Sequence, residues 1–178
     1  KLRVINLSLG HPPSISYRED PLGRAVERAV AAGLVVVSSA GNLGKLEDGT
    51  PIIGGVVSPG NTPGALTVGA LNTRGTVVRS DDGVATYSSR GPVGDPDDPT
   101  TWEIKPDLVA PGAQLVANVS SSSTLYMTSP HLVVDTIRVG CAGTPFMRFS
   151  GTSMAAAVTT GVVAQMLHAN RATWGNGL

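Results

Sequence analysis

The sequence predicts an α/β fold, a mostly parallel sheet flanked by helices in three layers, and three observations carry that expectation. Val4-Ile5-Asn6-Leu7-Ser8-Leu9-Gly10 and Leu34-Val35-Val36-Val37 are β-branched, apolar runs of the kind that form buried parallel strands. Between them, Leu22, Ala25, Val26, Ala29 and Val30 recur at helical spacing, so strand, helix and strand form a βαβ unit. Near the end, Gly151-Thr152-Ser153-Met154-Ala155-Ala156-Ala157 opens an apolar run that reads as a helix from Ser153 to about Asn170.

Taken in order, the first strand gives way to a proline-bearing loop over His11–Asp20, and Gly33 is a natural stop for the helix that follows. The second strand ends in Ser38-Ser39-Ala40-Gly41-Asn42. Ala65–Ala70 reads as a third strand and Val84–Ser88 as a fourth, followed by a proline- and aspartate-rich loop over Gly91–Thr101. Asp107-Leu108-Val109-Ala110 leads into the turn signal Pro111-Gly112. Ser120–Ser150 is the least legible stretch; Leu132-Val133-Val134 and Thr136-Ile137-Arg138-Val139, on either side of Asp135, suggest a hairpin. Sequons occur at Asn118-Val119-Ser120 and, in the first strand, at Asn6-Leu7-Ser8.

Composition narrows the function. At 178 residues, 41% hydrophobic and 15% charged, the chain has the length of one domain, or of a large piece of one, and can bury a core. Lys and Arg number 13, as do Asp and Glu, so no basic excess attracts nucleic acid or an anionic lipid surface. No apolar run reaches the roughly 20 residues that span a bilayer. The single Cys141 excludes an internal disulfide. A nucleotide-binding doubly wound domain would need a glycine-rich phosphate loop after the first strand. Gly10-His11-Pro12-Pro13 stands there instead, and prolines lack the N–H donors.

The chemistry points to Ser153. A serine at a helix mouth lies where backbone N–H groups lack intrahelical partners and the dipole favours developing negative charge. Acyl transfer then needs donors for an oxyanion, and Asn42, closing a strand after Ser39-Ala40-Gly41, could project its amide into a cleft beside the Ser153 N–H. Taken alone, an Asn after Gly reads better as a turn residue that tolerates left-handed backbone.

The combination resembles the subtilisin-like serine proteases. Asn6-Leu7-Ser8-Leu9-Gly10, Ser39-Ala40-Gly41-Asn42, Tyr87-Ser88-Ser89-Arg90-Gly91-Pro92, Lys105-Pro106-Asp107-Leu108-Val109-Ala110-Pro111-Gly112 and Gly151-Thr152-Ser153-Met154-Ala155 stand in that family's order. Only about 120–150 falls outside the resemblance, as an insertion. It implies Ser153 as nucleophile, Asn42 in the oxyanion hole, and Ser8-Leu9-Gly10 as the strand that pairs with extended substrate. Ser39-Ala40-Gly41 would wall the pocket for the side chain preceding the scissile bond. A polypeptide substrate and a secreted or extracytoplasmic location are also implied.

Two departures matter. The family's triad runs Asp, His, Ser along the chain. Neither its Asp-Thr/Ser-Gly block nor its His-Gly-Thr block is present; Asp135-Thr136-Ile137 lacks the glycine, and none of the three histidines precedes one. His168 lies 15 residues beyond Ser153 on the same expected helix, about 22 Å along the axis at about 1.5 Å per residue. His11 and His131 read as loop histidines. Residues 1–178 are therefore expected to be the C-terminal portion of a subtilisin-like peptidase domain, incomplete at its N-terminal side and inactive alone. Its partner would be the N-terminal remainder of the domain, and the isolated piece would fold marginally or self-associate through an exposed edge. The rival is a non-catalytic binding or structural domain of the same fold.

The second departure is Ala156-Ala157-Val158, where Ser-Pro-His is common in the family; alanine favours the helix and restores a backbone donor. Met154, beside the nucleophile, is an oxidation-sensitive position. No cofactor is required for the chemistry. Family members often bind calcium, but Asp95, Asp97 and Asp98 fit a solvated loop better than a calcium site.

Overall fold

The computed structural model describes residues 2–94, 98–134 and 145–174. Strand β1 (Val4–Leu7) is followed by helix α1 (Pro21–Ala31) and strand β2 (Val35–Ser39), and β2 pairs parallel to β1 from Val4 opposite Val35 to Leu7 opposite Ser38. Strand β3 (Leu66–Asn72) lies parallel to β2. The two-residue β4 (Gly83–Val84) pairs antiparallel with Leu71 and Asn72 of β3, and β5 (Leu108–Pro111) runs parallel to Val68–Leu71. A smaller antiparallel sheet is built from β6 (Leu115–Asn118), β7 (Val133–Val134) and β8 (Phe146–Phe149), with β8 central. The short α2 (Thr124–Thr128) separates β6 from β7, and the long α3 (Thr152–Trp174) closes the described chain.

The two faces of β2 explain the layering. Side chains alternate along a strand, so Val36 packs with Val26, Ala29 and Val30 of α1. Val35 and Val37 face the other way and pack with Ala155, Ala156, Val158 and Val163 of α3. Val36 and Val37 are both almost wholly buried, each worth about 1.5–3 kcal/mol relative to exposure. Helix, sheet and helix thus form the three layers expected.

Helix α1 begins where its sequence says it should. The Asp20 carboxylate accepts from the Leu22 N–H at 2.9 Å, Pro21 occupies the first turn without wasting a donor, and Gly33, with φ +83°, ends the helix.

Other expectations need correction. The first strand is only partly buried, because β1 forms an edge of the described sheet. Val84–Ser88 is not a strand beyond Val84: Ser88 N–H turns back onto the Ala85 carbonyl at 2.9 Å, and the Ser88 hydroxyl caps the Ala70 N–H at 3.0 Å. Residues 108–111 do more than lead into a turn, since they supply the fourth parallel strand. Within 120–150, Val133–Val134 is a strand whose described partner is β8; residues 136–139 lie outside the described set. Among the described residues, no helix is long and apolar enough to cross a membrane.

Candidate active site

The cleft lies where parallel strands run out at their carboxyl ends, as is usual in open α/β sheets. Beyond β1, Ser8-Leu9-Gly10 continues exposed until His11 exchanges two backbone hydrogen bonds with Ser58, at 3.1 and 3.0 Å. Beyond β2, Ala40 and Gly41 carry the chain to the exposed Asn42. Gly41 has φ +101°, and a β-carbon there would lie 2.7 Å from a Val57 methyl, so only glycine takes this bend at this distance. From the third side comes the N-terminus of α3, tied to the sheet by the Gly151 N–H on the Gly112 carbonyl at 2.8 Å.

Thr152 fixes the asparagine. Its N–H and its hydroxyl both donate to Asn42 Oδ1, at 3.0 and 3.1 Å, and its hydroxyl oxygen accepts from the Gly41 N–H at 3.0 Å. Two donors on one atom identify that atom as the carbonyl oxygen, so Nδ2 is the end left to donate. The Asn42 oxygen serves as a cap borne by another segment for the first N–H of α3.

Ser153 is half-buried beside this amide. Its hydroxyl donates to the Ser8 carbonyl at 3.2 Å, while the Ser8 hydroxyl donates to the Ser153 carbonyl at 2.8 Å. The reciprocal pair clasps the helix to the strand extension. Behind it, Asn6 Nδ2 donates to the Ser8 hydroxyl at 3.0 Å, and Thr160 donates to Asn6 Oδ1 at 2.9 Å, so four residues form one continuous brace. The Ser153 N–H, in the first turn of α3, has no acceptor among the described residues.

Leu9, Gly10, Pro12, Ser39, Gly41, Asn42, Leu43, Val57, Thr152 and Ser153 line a cleft of about 280 Å³. The structure therefore gathers Ser153, Asn42, Leu9, Gly10, Ser39 and Gly41 at one site, with Ser8 bonded to Ser153. Ala40, fully buried, lies behind the wall rather than on it. Val57, Leu43 and Pro12 also line the cleft, and no sequence signal points to them, because each comes from a loop whose local pattern carries no chemistry. Thr152 was legible only as part of its heptapeptide.

The histidines lie elsewhere. His11 Nε2 is 3.7 Å from Asp20, His131 sits in the 3-10 turn Pro130–Leu132, and His168 is far along α3. The buried Asp20 carboxyl is held below its ordinary value, chiefly by the Ser58 hydroxyl it accepts from, with the Leu22 amide and His11 adding and burial opposing. Among the described residues no group of three His, Cys, Asp or Glu side chains could hold a metal. Asp98 instead caps the 3-10 turn Pro99–Thr101, accepting from Thr100 N and Oγ1 at 3.0 and 2.6 Å, while Asp95, Asp97 and Cys141 lie outside the described residues.

A three-layer α/β domain whose cleft at the strand ends is lined by a serine at a helix mouth and by an asparagine has the architecture of the subtilisin-like class. The chain belongs to the subtilase family, whose profile matches residues 1–178. Serine protease AprX of Bacillus subtilis (strain 168) is 35% identical over 171 residues, 94% of this chain and 34% of that protein. Subtilisin-like protease SBT6.1 of Arabidopsis thaliana is 28% identical over 167 residues, 90% of this chain and 12% of that protein. Among solved structures, Sphericase superposes with a TM-score of 0.62 at 23% identity, covering 95% of this chain and 44% of its own. The S41 psychrophilic protease gives 0.59 at 27% identity, covering 92% and 42%. The chain thus spans about a third of AprX and less than half of either solved relative.

Proposed function

We propose that this chain supplies the nucleophilic half of a subtilisin-like serine endopeptidase site. Ser153 attacks the scissile carbonyl of a polypeptide, and Asn42 Nδ2 with the Ser153 N–H receives the oxyanion. A histidine base, oriented by an aspartate, comes from sequence N-terminal to Lys1. That histidine takes the Ser153 proton and returns it to the leaving amine; water then releases the acyl group by the reverse path. Ser8-Leu9-Gly10 pairs with extended substrate, and Ser39-Ala40-Gly41 walls the pocket for the residue before the scissile bond. No metal or cofactor is needed for these steps.

The observation that supports this reading is the double use of Asn42 Oδ1 by Thr152, the residue before Ser153, which leaves Nδ2 as the end of the amide free to donate. Two features support a missing remainder. Helix α3 leaves Val162 49% and Met166 65% exposed, apolar side chains that a further layer of the domain would cover. The edge strand β1 likewise offers unpaired backbone groups. Without a base the Ser153 hydroxyl is a weak nucleophile, so residues 1–178 alone are inactive.

A fluorophosphonate probe tests this on the full-length protein, on Ser153→Ala and on residues 1–178 alone. Labelling is expected only in the first. Absence of Ser153-dependent label in the full-length protein would overturn the enzyme reading in favour of a non-catalytic binding domain.

A further inference from the structure

We infer that Thr160 is a positioning residue, which through Asn6 holds the Ser8-Leu9-Gly10 segment in register with Ser153. The hydrogen bonds involved stand on the structure alone; their effect on rate rests on the protease reading above.

The two elements meet in matching steps. Val4 packs on the α3 side of the sheet, so Asn6 and Ser8, which follow it at alternate positions, turn the same face towards that helix. Thr160 lies close to two turns beyond Ser153 and shares its face of α3. Strand extension and helix are therefore joined by two rungs, Ser8 to Ser153 and Asn6 to Thr160. The Asn6 amide links the rungs lengthwise by donating to the Ser8 hydroxyl.

The supply of protons fixes the sense of this chain. The Ser8 hydroxyl has a single proton and spends it on the Ser153 carbonyl at 2.8 Å, so towards Asn6 it can only accept. The Asn6 atom facing it is then Nδ2, at 3.0 Å, which leaves Oδ1 towards Thr160. Thr160 meets Oδ1 with its hydroxyl at 2.9 Å, set there by a second acceptor, the Ala156 carbonyl one turn back at 2.8 Å. In this sense the shared proton sits at Thr160, away from the nucleophile, and the Ala156 carbonyl lies inside α3, where helix N–H groups serve such carbonyls. Turning the amide over would instead set Asn6 Oδ1 and the Ser153 carbonyl in competition for the Ser8 proton.

Removing the Thr160 hydroxyl takes this donor from Asn6 Oδ1 and with it the bias against rotation of the amide. The Ser8 hydroxyl is then drawn off the Ser153 carbonyl, and the segment that receives extended substrate loses one of its two ties to the nucleophile. Rate depends on how closely substrate is registered with the attacking oxygen.

The test compares Thr160→Val, similar in shape but without the hydroxyl, with Thr160→Ser in the full-length protein. Two probes are used, an alkyl fluorophosphonate and a tripeptidyl diphenyl phosphonate. With each, Ser153 Oγ bonds phosphorus as fluoride or phenoxide departs, and the hydroxyl proton passes to the base. Of the two, the peptidyl probe alone spans Ser8-Leu9-Gly10. Thr160→Val should lower its maximal inactivation rate about 3–10-fold, the scale of one hydrogen bond, and change its half-saturating concentration less than about 2-fold. Fluorophosphonate labelling should hold within about 2-fold, and Thr160→Ser should restore the peptidyl rate. Equal slowing of both probes, no slowing, slowing carried by the half-saturating concentration alone, or a serine variant as slow as the valine would overturn the inference. If wild-type Ser153 labels with neither probe, the protease reading fails. The brace is then read from the backbone amide shifts of Ser8 and Ser153 in the same proteins. Shifts displaced in Thr160→Val and returned in Thr160→Ser uphold it, and shifts unmoved by the valine overturn it.

Discussion

The two ends of the parallel sheet carry polar clusters that are finished in opposite ways. At the amino ends of β3 and β5, the buried Lys105 ammonium donates to the Ala65 carbonyl at 2.7 Å, the Pro63 carbonyl at 3.4 Å and Asp107 Oδ2 at 2.8 Å. Asp107 Oδ2 also accepts from the Thr67 N–H at 2.7 Å. Every ammonium donor is spent. At the carboxyl ends of β1 and β2, Asn42 Oδ1 is used twice, yet Asn42 Nδ2 and the Ser153 N–H find no acceptor among the described residues. Polar groups that only hold a fold are satisfied from within it, whereas groups poised for a ligand keep donors open.

The contrast breaks most visibly at the closed end. Asp107→Ala strands the Lys105 charge, which is 5% exposed, and orphans the Thr67 N–H. Asp107 is itself about a third exposed and Lys105 keeps its two carbonyl acceptors. The loss is therefore that of an orphaned buried group, about 1–3 kcal/mol, and the urea midpoint of the full-length protein should fall while labelling of Ser153 per folded molecule holds. A midpoint shift below about 1 kcal/mol would mean that the cluster is less tightly closed than its distances imply.

Asn42→Ala should do the reverse. Under the proposed function the oxyanion loses its side-chain donor, and kcat should drop about 10²–10³-fold, the scale known for the oxyanion-hole asparagine of subtilisin. Stability should fall only by about 0.5–2 kcal/mol, the worth of the cap that Asn42 places on the Thr152 N–H. Parallel kcat and denaturation measurements separate the two effects. Equal losses at both ends of the sheet would erase the distinction.

What is legible in the sequence follows the same division. The helix mouth at Ser153, the strands β1, β2 and β3, and the helix α1 are encoded locally, by apolar period, an Asp-Pro start and a Gly stop. The resemblance to subtilisin-like proteases singled out Asn42, although the residue alone reads as a turn. Long-range partners were not readable. Nothing near Thr152 announces a bond to Asn42, 110 residues away, and nothing near Val57 announces contact with both Gly10 and Gly41. Val84–Ser88 has strand composition, but its backbone is claimed by the turn at Ala85 and Ser88, so the fourth strand does not form there. The antiparallel β6-β8-β7 sheet was hidden because its strands are short and far apart in sequence, so no local period joins them.

A third cluster, beside the cleft rim, sharpens the comparison through pH. Asp20 accepts from the Ser58 hydroxyl and the Leu22 N–H and lies 3.7 Å from His11. Its carboxyl is held below the ordinary 3.8, first by Ser58. A depressed folded-state value adds stability that is fully present above the unfolded value and lost as pH falls through the folded one. Thermal melts should therefore weaken below about pH 4 more steeply in the wild type than in Asp20→Asn, which keeps an N-cap acceptor but no ionisable group. Parallel acid profiles would remove Asp20 from the account.

The smallest expected effect lies between the two ends, at Tyr87. Its hydroxyl donates at 2.8 Å to the Gly112 carbonyl, which also accepts from the Gly151 N–H, the last peptide before α3. Tyr87→Phe leaves that carbonyl partnered, so the loss should sit near the low end of the roughly 0.5–1.5 kcal/mol of a single hydrogen bond. Burial pushes the phenol above its ordinary 10.0, so the folded state keeps a proton that the unfolded chain gives up. Stability from Tyr87 is then complete below about pH 10 and declines as pH rises past it. The wild type should lose more stability than Tyr87→Phe between pH 9 and 11, read by denaturant titration. A variant as alkali-sensitive as the wild type would show that the Gly112 junction is held by the Gly151 peptide alone.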